Sequence, residues 1–397
     1  MEMVNDSKPG TPLPWGTLTG IRPAKVAEKM LVKGHTSQTV MEKLIKTYHV
    51  QPGRAAICVE TAQTAISLKE TLAPRDVALY VGIPFCPTRC AYCSFVSNSV
   101  ERSFSLVKPF VVTLLQEIKE MAKLADELGL RIISVYIGGG TPTALPESDL
   151  ESIMVSLSES FDFSGVREYT VEAGRPDTIT DLKLKVITRL GAKRICINPQ
   201  SMTGNVLTAI GRDHNPEDVC RAVDLVRKTD AVFNMDIIAG LPCDTQASFR
   251  KTLETVIDFM PENITVHTLS LKKGSRIMLE NTVIPGGAEV GEMLDYASLR
   301  LRECNYAPYY LYRQKYISGG FENIGWSRPG YEGIYNLCMM EELTTVLALG
   351  GGGVTKLVTT DGRIERIFNA KYPREYIMMT DKIKDKIGRI KENAVSI

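Results

Sequence analysis

The sequence predicts an α/β protein built on a partial (β/α)6 barrel, with a helical segment before it and a smaller α+β region after it. Three observations lead there. Short apolar runs alternate with longer amphipathic stretches from about residue 76 onward, the pattern of βαβ units around a parallel sheet. Six such repeats can be traced, fewer than the eight of a complete (β/α)8 barrel. After about residue 286 the regularity ends, and the first 72 residues are set apart from the repeats by their helical pattern.

In order along the chain, Pro23–Lys33 and Thr36–Tyr48 carry apolar residues at helical spacing, with Gly34 as a stop between them. Ser37 followed by Glu42 gives a loose capping signal. The segment 1–72 is therefore expected to be helical. A barrel is expected over 73–285, with strands at Val77–Pro84, Ile132–Ile137, Glu168–Glu172, Arg194–Asn198, Phe233–Ile238 and Ile264–Leu271. Helices are expected between them at Leu106–Leu128, Pro146–Glu159, Thr180–Leu190, Pro216–Lys228 and Gln246–Met260. In the region 286–397, a helix at Gly291–Glu303 leads to an aromatic strand, Tyr309–Tyr316. Val354–Thr359 and Arg363–Phe368 flank Asp361-Gly362 as a β-hairpin, and Tyr376–Glu392 reads as a closing helix. The run Gly350–Gly353 suits either a close backbone approach or a flexible connector.

The composition excludes several classes. A net charge of +1 over 397 residues leaves no electrostatic footprint for nucleic acid or an anionic membrane. The start, Met1–Pro14, has no apolar signal core, and no run approaches the ~18 apolar residues of a membrane span. A cytoplasmic protein is expected. Nine cysteines, an odd count, argue for reduced thiols rather than a disulfide framework.

Three of those cysteines stand together in Tyr80-Val-Gly-Ile-Pro-Phe-Cys86-Pro-Thr-Arg-Cys90-Ala-Tyr-Cys93, just after the first strand, where a barrel places its catalytic loops. Three thiolates this close can wrap one compact inorganic core. A 4Fe–4S cluster normally takes four cysteines, so three leave one iron open. The amino-carboxylate of S-adenosylmethionine (SAM) suits that iron, and reduction of its sulfonium would yield a radical able to abstract hydrogen from an unactivated carbon. A structural zinc site generally needs a fourth ligand. None of the four histidines lies near in sequence, and a Cys90/Cys93 redox pair would leave Cys86 unused.

The C-x3-C-x2-C spacing, with the aromatic Tyr92 before the last cysteine, resembles the radical SAM superfamily. The string Tyr-x-x-Ile-Pro-Phe-Cys is similar to the anaerobic coproporphyrinogen III oxidase family of HemN, HemW and HemZ. Leu18-Thr-Gly-Ile-Arg-Pro23 and Met339-Met-Glu-Glu342 look like the HemZ-type subgroup. The resemblance implies a 4Fe–4S cluster on Cys86, Cys90 and Cys93, and SAM as cofactor. Tyr80 and Tyr92 would support SAM near the cluster. The turn Gly138-Gly139-Gly140-Thr141 would meet it with backbone groups. Glu172 and Asp236, carboxylates on apolar strands, are costly unless paired and suit its ribose or ammonium. The resemblance also brings Gln200 and Arg212 to SAM, where an amide suits hydroxyls and a guanidinium suits a carboxylate.

Two positions depart from the oxidase pattern: Phe95 stands where the oxidase has a fourth cysteine, and Gly82 where it often has histidine. Three thiolates still suffice for the cluster, so the departures bear on the substrate. The implied activity is oxygen-independent decarboxylation of coproporphyrinogen III to protoporphyrinogen IX, fed by a donor such as flavodoxin or ferredoxin. The alternatives within the resemblance are a haem-binding chaperone of the HemW type, a methyltransferase or a haem-degrading enzyme. Tyr309, Tyr310 and Tyr312 suit a flat tetrapyrrole or core packing, and Arg175, Arg313 and Lys315 are candidate clamps for its carboxylates.

Overall fold

The computed structural model describes residues 13–93, 98–272, 275–359, 363–378 and 380–393. Phe95 and the Asp361-Gly362 turn lie outside the described residues.

Three helices open the chain: α1 (Ala24–Val32), α2 (Ser37–Tyr48) and α3 (Pro52–Glu70). The cap of α2 is Thr36, whose Oγ1 accepts from Thr39 N at 3.2 Å, one residue earlier than Ser37. The third helix starts on Pro52, where the missing N–H costs nothing.

Six parallel strands come next: β1 (Asp76–Ile83), β2 (Arg131–Gly139), β3 (Glu168–Glu172), β4 (Arg194–Gln200), β5 (Val232–Ala239) and β6 (Asn263–Thr268). They alternate with α4 (Phe104–Glu127), α5 (Glu147–Ser160), α6 (Asp181–Arg189), α7 (Gly204–Ala209), α8 (Pro216–Val226) and α9 (Gln246–Asp258). Capping boxes at Asn215 and Thr245 set the starts of α8 and α9. A short α10 (Arg276–Leu279) and the longer α11 (Gly287–Glu303) lead into β7 (Ala307–Tyr312), β8 (Asn323–Ser327), α12 (Ile334–Glu341) and β9 (Thr345–Gly350). The chain ends through β10 (Val354–Val358), β11 (Ile364–Phe368), α13 (Pro373–Ile377) and α14 (Thr380–Asn393).

One sheet holds all eleven of these strands, in the order β11-β10-β9-β1-β2-β3-β4-β5-β6-β8-β7. The C-terminal region therefore contributes at both ends of the parallel run. The pair β8–β7 joins antiparallel to β6, while β9 lies parallel to β1, with Val77 opposite Thr345 and Gly82 opposite Gly350. Of these, β8, α12 and β9 are elements the sequence pattern does not reveal. The aromatic strand stops at Tyr312 rather than Tyr316, and the closing helix is two pieces, α13 and α14.

Of the two readings of the glycine run, close approach holds. Gly350 sits at φ +80°, and its N–H donates to Glu117 Oε2 at 2.7 Å; a Cβ on Gly351 would press on Pro84 at 2.7 Å. The two HemZ-like motifs outside the barrel also meet. Arg22 Nη2 and Lys25 Nζ each lie 3.0 Å from the Glu342 carboxylate, and Arg22 Nε donates to Met340 O.

Candidate active site

The strand leading to the cysteines, β1, is buried over nearly all its length and paired on both sides, with β9 and β2, up to its C-terminal end. Beyond it the chain makes a two-residue strand, Phe85–Cys86, paired with Asn98–Ser99, and Cys86 O accepts from Val100 N at 2.9 Å. The cysteine loop itself is tied to the end of α7, to α10 and to the loop after β3. Ala91 N donates to Ile210 O at 2.9 Å, and Ile277 N donates to Ala91 O at 3.3 Å. Thr88 Oγ1 accepts from Arg175 Nη1 at 2.9 Å.

The three cysteines open on a cavity of about 560 Å³, and the residues predicted for the cofactors line it, with the exception of Gly138. The glycine turn after β2 lies against the cysteine loop. Gly140 N and Thr141 N donate to Ile83 O and Phe85 O, both at 2.7 Å, and Thr141 Oγ1 is 3.5 Å from Cys86 Sγ. A Cβ on Gly140 would stand 2.8 Å from that sulfur, so glycine is required there.

Glu172, at the end of β3, accepts from Tyr136 Oη at 2.9 Å and from Asn198 Nδ2 at 2.7 Å. Burial, with Asp236 adding to it, pushes its carboxyl up to about 7 against those two hydrogen bonds. Asp236 Oδ2 lies 3.5 Å from His267 Nε2. Gln200 closes β4 at φ +65°, a conformation few non-glycine residues adopt, where the register with β5 shifts between Ile197 and Gln200. Buried Arg212 donates through Nη1 to Asn198 O at 2.7 Å and through Nη2 to Tyr92 Oη at 3.0 Å, and no carboxylate pairs with it among the described residues. Burial raises the Tyr92 phenol well above its usual range.

One wall of the cavity is aromatic. Tyr80, Tyr136 and Tyr335 stack on one another, with ring centroids 4.4 to 6.4 Å apart, and Tyr310 stacks on Tyr312 at 6.4 Å. Tyr335 comes from α12, whose first N–H groups donate to the Glu168 carboxylate (Ile334 N at 2.7 Å), so the helix dipole is met by an anion. Tyr136, Asn198, His267 and Tyr335 escaped prediction. The first three were findable as polar or aromatic residues at inward positions of buried strands. Tyr309 turns from this wall to Asn336 and does not line the cavity. Of the predicted clamps, only Arg175 lines the cavity, held there by Asp177 at 2.9 Å. Arg313 turns to Leu18 O and Gly320 O, and Lys315 is exposed elsewhere.

These residues fit an iron–sulfur cluster bearing SAM. Among the described residues, no three His, Cys, Asp or Glu side chains are set to hold one metal ion. A cluster asks something different, one thiolate on each of several irons. Asn198 Oδ1, Gln200 Oε1 and Arg212 Nε are buried without a hydrogen-bond partner in the same cavity, at a cost of about 1–3 kcal/mol each unless a polar ligand completes them.

Comparison with known proteins agrees. Residues 80–256 match the radical SAM superfamily. The chain is 38% identical over 369 residues to the oxygen-independent coproporphyrinogen-III oxidase-like protein HemZ of Bacillus subtilis, covering 91% of this chain and 74% of that protein. It is 25% identical over 304 residues to the haem chaperone HemW of Haemophilus influenzae, covering 76% of each. The solved coproporphyrinogen III oxidase HemN of Escherichia coli shares the fold, with a TM-score of 0.63 at 21% identity over 81% of this chain and 73% of that one. Fold and cavity together define a radical SAM protein, whose cofactors are a 4Fe–4S cluster and SAM. Within that superfamily, the chain belongs to the oxygen-independent coproporphyrinogen III oxidase-like family that includes HemZ. Among the described residues, no helix is long and apolar enough to cross a membrane.

Proposed function

We propose that the protein carries out oxygen-independent oxidative decarboxylation of coproporphyrinogen III to protoporphyrinogen IX. The observation that supports this most is a single cavity that unites three thiols, a polar ring with unfilled hydrogen bonds, and a wall of stacked tyrosines. The first two suit the cofactors and the third suits a flat tetrapyrrole. Cys86, Cys90 and Cys93 would hold the cluster, and Gly139, Gly140 and Thr141 would offer backbone groups to SAM. Glu172, Gln200 and Asp236 would accept from or donate to its ammonium and ribose. The Arg212 guanidinium, held by backbone carbonyls rather than a carboxylate, would take its carboxylate. Tyr80 and Tyr92 would fix its position near the loop.

When bound, the cofactors supply one-electron cleavage of the SAM sulfonium and a carbon radical that removes hydrogen. The protein's own part is to orient the tetrapyrrole on the tyrosine wall and to exclude water around it. Each propionate converted would lose CO2, one hydrogen atom to the carbon radical and one electron to an external one-electron acceptor, and so become vinyl. A donor such as flavodoxin or ferredoxin would keep the cluster reduced.

The experiment is anaerobic: reconstituted protein, SAM, a strong reductant and coproporphyrinogen III, followed by mass spectrometry. Loss of two CO2 together with 5′-deoxyadenosine supports the reading. Deoxyadenosine formed with the porphyrinogen untouched refutes it. The similarity to HemW over three quarters of both chains favours a second reading, a haem-binding chaperone with the same cofactors. Tight haem retention without turnover would select it.

A further inference from the structure

The cavity is lined by three Lys or Arg side chains among the described residues: Arg175, Arg212 and Lys272. Their situations differ. Arg175 is neutralised in place, with Nε and Nη2 on the two oxygens of Asp177 at 2.9 and 3.1 Å. Arg212 is braced by Asn198 O, Gly174 O and Tyr92 Oη, next to the cysteine loop. Lys272 has no side-chain hydrogen bond and no ion pair among the described residues, although it is half-buried.

Its backbone, by contrast, is fixed. Lys272 O accepts from Ser275 N at 2.9 Å and from Ser275 Oγ at 2.8 Å, and Ser275 is fully buried ahead of α10. On the other side Leu271 N donates to Tyr316 O at 2.9 Å, and Ser270 bridges to Ile317. These contacts bind the loop after β6 to the segment after β7, which brings Tyr312 and Gln314 to the same cavity. Burial lowers the Lys272 ammonium below its ordinary range, with no anion to offset it. A half-buried cation whose backbone is hydrogen-bonded in place at the edge of a cavity, without a counter-charge from the protein, is set to receive an anion from a ligand.

We infer that Lys272 receives a carboxylate of the substrate and so selects for an acidic ring substituent. For the owner of that carboxylate, the inference rests on the tetrapyrrole reading above. The lysine's compact charge suits one carboxylate at a time. With Arg175 already paired to Asp177, the remaining acid groups of a tetra-acid ring would be met by neutral donors or lie toward solvent. Lys272 is thus a specificity-determining residue distinct from those assigned to SAM.

The test is equilibrium dialysis of coproporphyrin III, a redox-inert stand-in, against the cluster-loaded protein with SAM present. The same measurement is made on Lys272→Met and Lys272→Arg, with iron content and SAM binding measured in parallel. Lys272→Met should bind the porphyrin about ten- to a hundredfold more weakly, the loss expected for one charged hydrogen bond. Lys272→Arg should stay within about threefold of the parent, since the charge is kept though its geometry changes. SAM binding should be unchanged in both. Equal porphyrin binding by Lys272→Met and the parent overturns the assignment and leaves the proposed function standing. Weakened SAM binding in Lys272→Met overturns it by giving the lysine to the cofactor. A parent protein that retains no coproporphyrin overturns the tetrapyrrole reading, and this carboxylate with it.

Discussion

Two inward-facing glutamates, one fully buried and one half-buried, are solved in opposite ways and separate the framework of this protein from its working cavity. Glu117 of α4 is fully buried, and both its oxygens are met: Lys386 Nζ at 2.9 Å, Tyr376 Oη at 2.6 Å, Asn369 Nδ2 at 3.0 Å and Gly350 N at 2.7 Å. Lys386 in turn donates to Asn369 Oδ1 and Ala348 O. That network is closed. Glu172 has only neutral donors, Tyr136 and Asn198, and is surrounded by polar atoms with nothing to bond. A closed network holds elements together, while an open one waits for a ligand.

The comparison can be broken in several ways. The largest effect is expected at the cysteines, where replacing Cys86, Cys90 or Cys93 with alanine should abolish cluster assembly. Iron analysis and visible absorbance of reconstituted protein check this, and full iron in any variant would count against the ligand assignment. Next comes the closed network. Lys386→Met leaves Glu117 charged and buried, and should cost about 3–5 kcal/mol in denaturant unfolding. The double change with Glu117→Gln should recover part of that loss.

The open network should respond to pH instead. The folded, ligand-free protein holds the Glu172 proton more tightly than the unfolded chain does. Stability from this group is therefore full below its ordinary value of 4.5 and is lost as pH climbs through about 7. Glu172→Gln removes that loss. The variant should gain on the parent by about 2 kcal/mol between pH 5 and pH 8 in thermal melts. Glu341, also pushed up to about 7 by burial, titrates in both proteins and cancels in the difference. The smallest effect is at Gln200. Gln200→Gly relieves a left-handed backbone and should change stability by no more than about 1 kcal/mol, while weakening SAM binding measured by calorimetry.

How much of the molecule was legible in the sequence divides along the same line. The cofactor side is written in short contiguous strings placed just after strands, so periodicity located the strand and the string its chemistry. Cys86, Cys90, Cys93 and Gly139 to Thr141, read this way, line the cavity, as do Glu172 and Asp236, read as carboxylates on apolar strands. The aromatic wall is assembled from parts far apart. Tyr335 reaches the cavity on a helix of eight residues, α12, whose start is fixed by Glu168, and no local pattern reports such a partner. After Thr345 the run to Gly350 is without polar side chains, which periodicity cannot tell from a buried helical turn, and so β9 went unseen. Arg313 looked like a substrate clamp because a basic residue beside tyrosines reads the same whether it faces a cavity or Trp15.

The placement of β9 beside β1 carries a consequence for how the protein matures. The strand that presents the cysteines obtains its second neighbour only when residues 345–350 have been made, some 260 positions after the last of the three thiols. On the ribosome, β1 therefore spends most of synthesis as an open edge, and the loop beyond it lacks the glycine backing that Gly350 and Gly351 give to Gly82 and Pro84. The cysteine loop thus gains its full backing late in synthesis, from a segment distant in sequence.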